Sequence, residues 1–356
     1  MTQRTEKIPA FVLGGTGYVA GELLRLIAAH PHFALSAALS DSQPGEPIAK
    51  SFPHLAPAYP TLAFSSLDEV KQLVGDAPRS AILSAAPHGV AAKLIDELLT
   101  AAETQNSDAR IVDISADYRY TSAAAYEAVY KHSHGAPQRI PQFTCALPEH
   151  LDAVSTAHVA HPGCFSTAAL LASVPILKLG LAQPRIFISG VTGSTGSGRT
   201  PTAGTHHPQR HSDMYAYNAL AHRHAPEIQA LAQASSGVEA RFSFVPHSGP
   251  FARGIHVTVQ AEAKRNVQTP ELLDALREFY RGRPFVRVTA ELPHIKHVTA
   301  SNYAYVSGVA NGETLAVMCA IDNLTKGAAG GAMQWLNRLF GFDETSGLTA
   351  PAAGWT

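Results

Sequence analysis

A glycine-punctuated junction between an apolar run and an amphipathic run constrains this chain more than any other feature. Residues 9–14 (P-A-F-V-L-G) read as a short buried strand. Gly14-Gly15-Thr16-Gly17-Tyr18-Val19-Ala20-Gly21 follows and opens the amphipathic helix E-L-L-R-L-I-A-A-H, and a second strand reads F-A-L-S-A-A-L-S at 33–40. In a strand–turn–helix–strand unit, Gly14 serves a tight turn, Gly17 the close approach of a pyrophosphate, and Gly21 close helix–sheet packing. Gly14, Thr16, Gly17, Tyr18 and Val19 are therefore expected to bind a dinucleotide.

The next units repeat the alternation. S-A-I-L-S-A at 80–85 is a strand that ends at Ala86-Pro87-His88-Gly89, a helix runs from about Val90 to Ala102, and R-I-V-D-I at 110–114 is another strand. This order predicts a parallel, doubly wound sheet with ligands at the carboxyl ends of its strands, where Pro87 lies. The second strand ends in Leu39-Ser40-Asp41-Ser42. An acidic residue there bonds the ribose 2′-hydroxyl of NAD and opposes the 2′-phosphate of NADP, whereas Ser40 and Ser42 bond that phosphate if Asp41 points away. These residues leave both cofactors open.

Cys164 carries the chemistry of the second half. It sits in His161-Pro162-Gly163-Cys164-Phe165-Ser166-Thr167-Ala168, where a Pro-Gly turn delivers the thiol to the first turn of an apolar helix. Unpaired N–H groups at a helix start favour the thiolate and make it nucleophilic. Cys319 lies in the strand-like A-V-M-C-A-I-D and reads as a buried apolar residue. A thiol nucleophile needs a base, and the base an orienting partner. Within Tyr217-Asn218-Ala219-Leu220-Ala221-His222-Arg223-His224-Ala225-Pro226-Glu227, His222 and Glu227 are residue types that supply both. The run H-H-P-Q-R-H at 206–211 lacks metal-site spacing and is read as non-metal. The loop V-T-G-S-T-G-S-G-R-T-P-T is either a flexible surface connection or a flap over a substrate, with Arg199 as an anion contact.

The strand-like runs 241–247, 254–263, 303–309 and 315–322, with a helix near 269–281, predict an α+β domain on a mixed or antiparallel sheet. A helix after Asp322 is expected to return to the first domain, and the tail from about Gly341 to be weakly ordered or to meet another subunit. The chain carries a formal net charge of -1, no basic block, and no apolar stretch of membrane-spanning length. Neither nucleic acid nor a membrane is therefore an expected partner. The first residues, M-T-Q-R-T-E-K-I-P, hold no signal-peptide apolar region, and 3 scattered cysteines argue against disulfides and structural zinc, so a cytoplasmic location is expected.

Together the segments G-G-T-G-Y-V-A-G-E-L-L at 14–24, P-H-G-V at 87–90, V-D-I-S-A-D-Y-R at 112–119, L-P-E at 147–149, H-P-G-C-F-S-T-A, A-Y-N-A-L-A-H-R-H-A-P-E-I at 216–228, R-G-I at 253–255 and D-N-L-T-K-G-A-A-G at 322–330 are similar to the N-acetyl-gamma-glutamyl-phosphate reductase family. That family is the arginine-biosynthesis branch of the aspartate-semialdehyde dehydrogenase-like superfamily. The resemblance covers nearly the whole chain. It implies an α/β plus α+β protein: a Rossmann-type doubly wound parallel sheet over 1–162, completed by a returning helix at about 323–356, and a catalytic and dimerisation α+β domain on a mixed sheet over 163–322. It implies a small-molecule acyl-phosphate substrate, NADP as cofactor (with NAD kept open by Asp41), and a homodimer or homotetramer.

The resemblance also implies roles. Cys164 attacks the acyl phosphate to give a thioester, His222 moves the protons and Glu227 orients the imidazole. Arg119, Ser189, Arg199, Tyr217, His224 and Arg253 contact substrate, while Asn323 and Lys326 lie near the nicotinamide. The chain departs from the family at His161, where Asn is usual, and at Ser166, where Pro is usual. Its 190–204 loop is also richer in Gly, Ser and Thr. Two rival readings fit parts of the pattern. A sister reductase would act on an aminoadipate-type substrate on a carrier, or on a different N-acyl group; Arg199, Arg210, Arg223 and Arg253 suit an acidic carrier. A non-catalytic dinucleotide sensor would make Cys164 dispensable.

Overall fold

The computed structural model describes residues 7–354, so most of the N-terminal stretch read above for a leader lies outside the described residues. The chain divides into two units. One holds the residues up to Ala146, Ala153–His161 and Ala329–Thr349; the other holds Leu147–Asp152, Pro162–Ala328 and the residues from Ala350.

The first unit is built on six strands: β1 (Ile8–Leu13), β2 (Phe33–Ala38), β3 (Arg79–Ser84), β4 (Asp108–Asp113), β5 (Phe143–Cys145) and β6 (His158–Ala160). Their order is β2-β1-β3-β4-β6-β5, and every pairing is parallel. The central strands are continuous apolar runs buried on both faces, as a helix-covered parallel sheet demands. The chain leaves β1 toward β2 on one side and reaches β3 on the other, so a switch point opens between β1 and β3 at their carboxyl ends. The helix Leu67–Asp76, which the sequence reading passed over, starts on a capping box between Ser66 and Glu69.

The returning helix Gly330–Leu339 packs in this unit on β4, β3 and the Tyr18–Ala28 helix. Of the two alternatives expected for the residues that follow, weak order or contact with another subunit, the stretch 342–346 does not show the first. Asn337 Nδ2 donates to the carbonyl of Ser346 at 2.9 Å, and His30 Nε2 lies 3.0 Å from the same oxygen. Phe342 stacks on His32 with ring centroids 4.1 Å apart. Buried donors and a ring stack fix a stretch whose composition alone looks like loop.

The second unit carries β7 (Ala182–Thr192), β8 (Tyr215–Ala216), β9 (Arg241–Ser248), β10 (Ile255–Gln268), β11 (Val286–Val288) and β12 (Ala304–Ile321) in the order β11-β12-β10-β7-β9-β8. The sheet is mixed: β10 runs antiparallel to β12 and β7, while β7 and β9 are parallel. The Cys164–Lys178 helix lies against β7, β10 and β12, and Phe165 through Leu177 are all buried. Such a helix is apolar on every side because sheet and neighbouring helices surround it.

Candidate functional site

The first unit gathers its glycine turn, the Ser40 turn and the Pro87 loop at the carboxyl ends of β1, β2 and β3. Gly14 has φ +76°, and a Cβ there would lie 2.6 Å from the carbonyl oxygen of Ala85, so the β1 turn and the β3 loop touch backbone to backbone. Gly17 precedes the Tyr18–Ala28 helix and no side chain caps it, which leaves a helix start suited to a pyrophosphate. Thr16 and Val19 are half-buried and Tyr18 exposed beside it. Gly21 lies under the ring of Phe52, at 2.7 Å from a Cβ, so its close packing is with a side chain outside the sheet. Ser40 is buried, Asp41 and Ser42 are exposed, and Ser40 Oγ accepts the Gln43 amide.

Pro87 is exposed at the end of β3, and residues that the sequence reading gave no role hold its loop. The Asp117 carboxylate accepts the amides of Gly89 at 2.8 Å and Ala92 at 3.0 Å, capping the Ala91–Thr104 helix from another segment. His88 Nδ1 accepts the amide of Ala116 at 2.9 Å. These side chain to main chain bonds span 25 to 28 positions and have no local sequence signal. Arg119, expected at the substrate, is buried and donates to the carbonyls of His161 at 3.1 Å and Ile114 at 2.7 Å. The His161 ring is also fully buried, and its amide donates to Asp113 at 2.7 Å.

In the second unit, Gly163 is the N-cap and Cys164 the first residue of the long buried helix, with no side chain capping the start. The main-chain N–H groups of that first turn are the ones a helix leaves without internal partners. Glu227, 1% exposed, turns its Oε1 to the Gly163 amide at 2.7 Å. This bond, which the sequence did not suggest, fixes the turn that presents the thiol.

His222 packs against Phe165, Phe244, Tyr217 and His224. Burial, helped by the neighbouring Arg223 charge, lowers its pKa to about 4, so the ring is neutral near pH 7. The His224 amide donates to His222 Nδ1 at 3.1 Å, so the neutral ring carries its proton on Nε2. Burial and the adjacent Cys164 push the Tyr217 hydroxyl well up, and it stays protonated. Cys319 is fully buried, and burial pushes its thiol far up.

Gly327 faces the nucleophile from a π-helical turn at Thr325–Ala329, and a Cβ there would lie 2.7 Å from the Cβ of Cys164. The sequence offered only a glycine in a mixed Lys-Gly-Ala-Ala run. The glycine- and serine-rich loop is pinned over its first half. The amides of Ser194 and Thr195 donate to the carbonyls of Phe251 and Ala252, and Asn323 ties the Gly254 amide (2.7 Å) to Thr195 Oγ1 (3.0 Å).

Arg253 forms a two-point bond with the buried Asp322 carboxylate, at 2.9 and 3.0 Å, and reaches Thr325. Lys326 is buried in an ion pair with Glu149 at 2.6 Å. Ser189 alternates outward on β7, away from the face that Gly190 turns to the Phe165 ring. Of the four arginines read as a basic cluster, Arg199 and Arg223 are exposed, while Arg210 is buried and Arg253 is committed to Asp322. Among the described residues no group of three or more His, Cys, Asp or Glu is placed to hold a metal ion, and no helix is long and apolar enough to cross a membrane.

Comparison with known proteins points the same way. Residues 10–150 match the family described as semialdehyde dehydrogenase, NAD binding domain, and residues 164–323 match the semialdehyde dehydrogenase dimerisation domain. A protein of Methanopyrus kandleri named N-acetyl-gamma-glutamyl-phosphate reductase is 38% identical over 346 residues, 96% of this chain and 97% of that one. A protein of the same name from Cellvibrio japonicus is 37% identical over 355 residues, 97% of this chain and 99% of its own. Among solved structures, aspartate semialdehyde dehydrogenase II of Vibrio cholerae complexed with ASA aligns with a TM-score of 0.67 at 14% identity, covering 94% of this chain and 98% of that one. The Candida albicans aspartate semialdehyde dehydrogenase with NADP gives 0.65 at 14% identity, over 94% and 99%. At such identity these structures share the fold.

Proposed function

Because the chain belongs to the semialdehyde dehydrogenase family, among the N-acetyl-gamma-glutamyl-phosphate reductases, we propose that it reduces N-acetyl-gamma-glutamyl phosphate to N-acetylglutamate 5-semialdehyde and phosphate, a step of arginine biosynthesis. The observation that carries the reading is Cys164 at an uncapped helix start, on a turn fixed by Glu227 and beside a neutral, buried His222.

The Cys164 sulfur adds to the γ-carbonyl carbon, and the bond from that carbon to the phosphate oxygen breaks. Phosphate leaves with the electron pair, and Cys164 holds a thioester. His222 takes the thiol proton; with Nδ1 engaged by the His224 amide, it does so by releasing that bond or exchanging its tautomer. N–H groups at the helix start stabilise the oxyanion at the carbonyl. When bound, the reduced nicotinamide supplies the hydride that takes the thioester to the aldehyde level. His222 returns its proton to the sulfur as the C–S bond breaks. Tyr217, protonated and packed on His222, lines the reacting centre.

The glycine turn fits a dinucleotide, since backbone contact at Gly14 and the uncapped start at Gly17 leave a cradle that side chains would fill. Gly14, Thr16, Gly17, Tyr18, Val19 and Pro87 would hold it, with Ser40 and Ser42 toward a 2′-phosphate, which supports NADP. The outward face of β7, with Phe187 45% exposed, supports pairing of two copies through the second sheet.

The reading is tested by phosphate-dependent oxidation of N-acetylglutamate semialdehyde with NADP+ and with NAD+, in the wild type and in Cys164→Ala. Turnover that vanishes in the variant is expected. Turnover that survives would remove Cys164 from the mechanism.

A further inference from the structure

Arg210 is a buried cation of the second unit to which the mechanism gives no part. It is 8% exposed, yet among the described residues its Nε and Nη2 find no acceptor. Only Nη1 is engaged, with the main-chain carbonyl of Asp213 at 3.3 Å. The guanidinium sits over the ring of Tyr215, 6.0 Å from its centroid. A buried charge with two idle donors on one edge is a cost that protein interiors avoid. Nε and Nη2 together form the fork that matches a carboxylate at two points.

The surroundings tie that fork to the reacting centre. Tyr215 and Ala216 form β8 and pair with Ser248 and His247 of β9, and the Tyr217 amide continues the ladder to Pro246. Tyr215 and Tyr217 are two residues apart on extended chain and so share a face, about 7 Å apart. The Arg210 guanidinium lies over the Tyr215 ring, while the Tyr217 ring packs on that of His222. Three non-glycine residues here, Ser212, Asn218 and Leu220, have φ of 58°, 44° and 58°. Left-handed backbone at an exposed leucine is strain, and strain collects where a segment must hold a shape for a ligand.

We propose that Arg210 is the specificity residue for the α-carboxylate of the substrate, gripping it with Nε and Nη2 while the acyl carbon lies at Cys164. This rests on the reaction proposed above, whose substrate carries that carboxylate a few bonds from the reacting carbon. The short turns at Ala203–Thr205 and His207–Arg210 form a strap over Tyr215, and the carboxylate enters as the strap lifts.

The test compares N-acetylglutamate semialdehyde with its decarboxylated analogue, 4-acetamidobutanal, in phosphate-dependent oxidation by the wild type, Arg210→Ala and Arg210→Lys. In Arg210→Ala, kcat/KM for the carboxylated substrate falls about 30-fold, the value of one charge-assisted two-point contact. The loss appears mainly in KM, the analogue is unaffected, and added guanidinium restores part of it. Arg210→Lys recovers little, because an ammonium lacks the fork. Equal losses for the two aldehydes, or no loss for either, would overturn the assignment while leaving the reaction intact. A wild type that oxidises neither would overturn the reaction, and the carboxylate site with it.

Discussion

Glu227 Oε1 accepts the amide of Gly163 at 2.7 Å, and both partners lie in the buried floor beneath the nucleophile. The contact joins the His224–Ser236 helix to the turn that opens the Cys164–Lys178 helix. It puts a carboxylate on the turn that precedes Cys164, at the helix start that favours a thiolate.

Removing that carboxylate separates the two effects. Glu227→Ala leaves the Gly163 amide buried and unmet, at about 1–3 kcal/mol of stability. The released turn lowers kcat by about 100-fold. Glu227→Gln keeps an acceptor and removes the charge. Its thermal midpoint should stay near wild type, while Cys164 reacts faster with iodoacetamide at pH 7. Alkylation at an unchanged rate in the glutamine variant would show that the carboxylate's charge does not reach the thiol.

Gly327 tests the packing around the same sulfur. An added methyl would sit 2.7 Å from the Cβ of Cys164, closer than any relaxed contact, with the Cα of the same residue at 3.1 Å and the Cδ1 of Ile321 at 3.3 Å. Gly327→Ala therefore displaces the nucleophile by a few tenths of an ångström or more. We expect kcat to fall by at least about 10-fold, with overpacking costing about 1–3 kcal/mol of stability. Full activity in a folded Gly327→Ala would mean that the thiol works from another position.

The contrast between these two residues shows what the sequence could carry. Four of the six strands of the parallel sheet were legible as apolar runs alternating with helical periods, β1 closed by glycine and β3 by proline, whereas the three-residue β5 and β6 are too short to show a period; Cys164 stood out because a Pro-Gly turn stands directly before it. Glu227 drew notice for its place near His222 in the sequence, but its bond to Gly163 gave no signal, since 64 positions separate the two. The same distance problem hid Asp117 on the Gly89 turn and Gly327 on the thiol. Arg253 looked like an anion contact because unpaired arginine and arginine paired with a buried aspartate are the same letter. Ser189 depended on one residue of strand phase, which decides which face of β7 it joins.

Cofactor choice turns on the Ser40–Ser42 turn. Ser40 Oγ lies 3.4 Å from Ser42 Oγ, and Asp41 between them is exposed. With a 2′-phosphate at the two hydroxyls, Asp41→Asn relieves a repulsion of about 1 kcal/mol at an exposed site and raises kcat/KM for NADP+ about 5-fold. Ser42→Ala lowers kcat/KM for NADP+ and leaves NAD+ unchanged. A wild type that prefers NAD+, losing that preference in Asp41→Asn, would instead place the carboxylate on the ribose.

Acid should unfold this protein through its buried histidines. Burial lowers His30, His150, His158 and His222 from an ordinary 6.5 to about 4, so each stays neutral in the fold while its unfolded counterpart gains a proton below pH 6.5. Between pH 6.5 and 4 the unfolded state then binds more protons, and stability falls as pH falls. Asp113 opposes them: burial raises it from 3.8 to about 6, so across part of that window the fold holds a proton that the unfolded chain releases. The four histidines, joined by His256, which burial also lowers, outnumber that carboxyl, and each net proton is worth about 1.4 kcal/mol per pH unit. The thermal midpoint should therefore drop steeply from pH 6.5 to pH 4. His158 Nδ1 accepts the Ile111 amide at 3.3 Å, and the Oδ1 of an asparagine can take that place. His158→Asn keeps the bond and removes the titration, so its pH dependence should be shallower by one proton. A midpoint flat across this window in the wild type would show that these rings take up protons without leaving the fold.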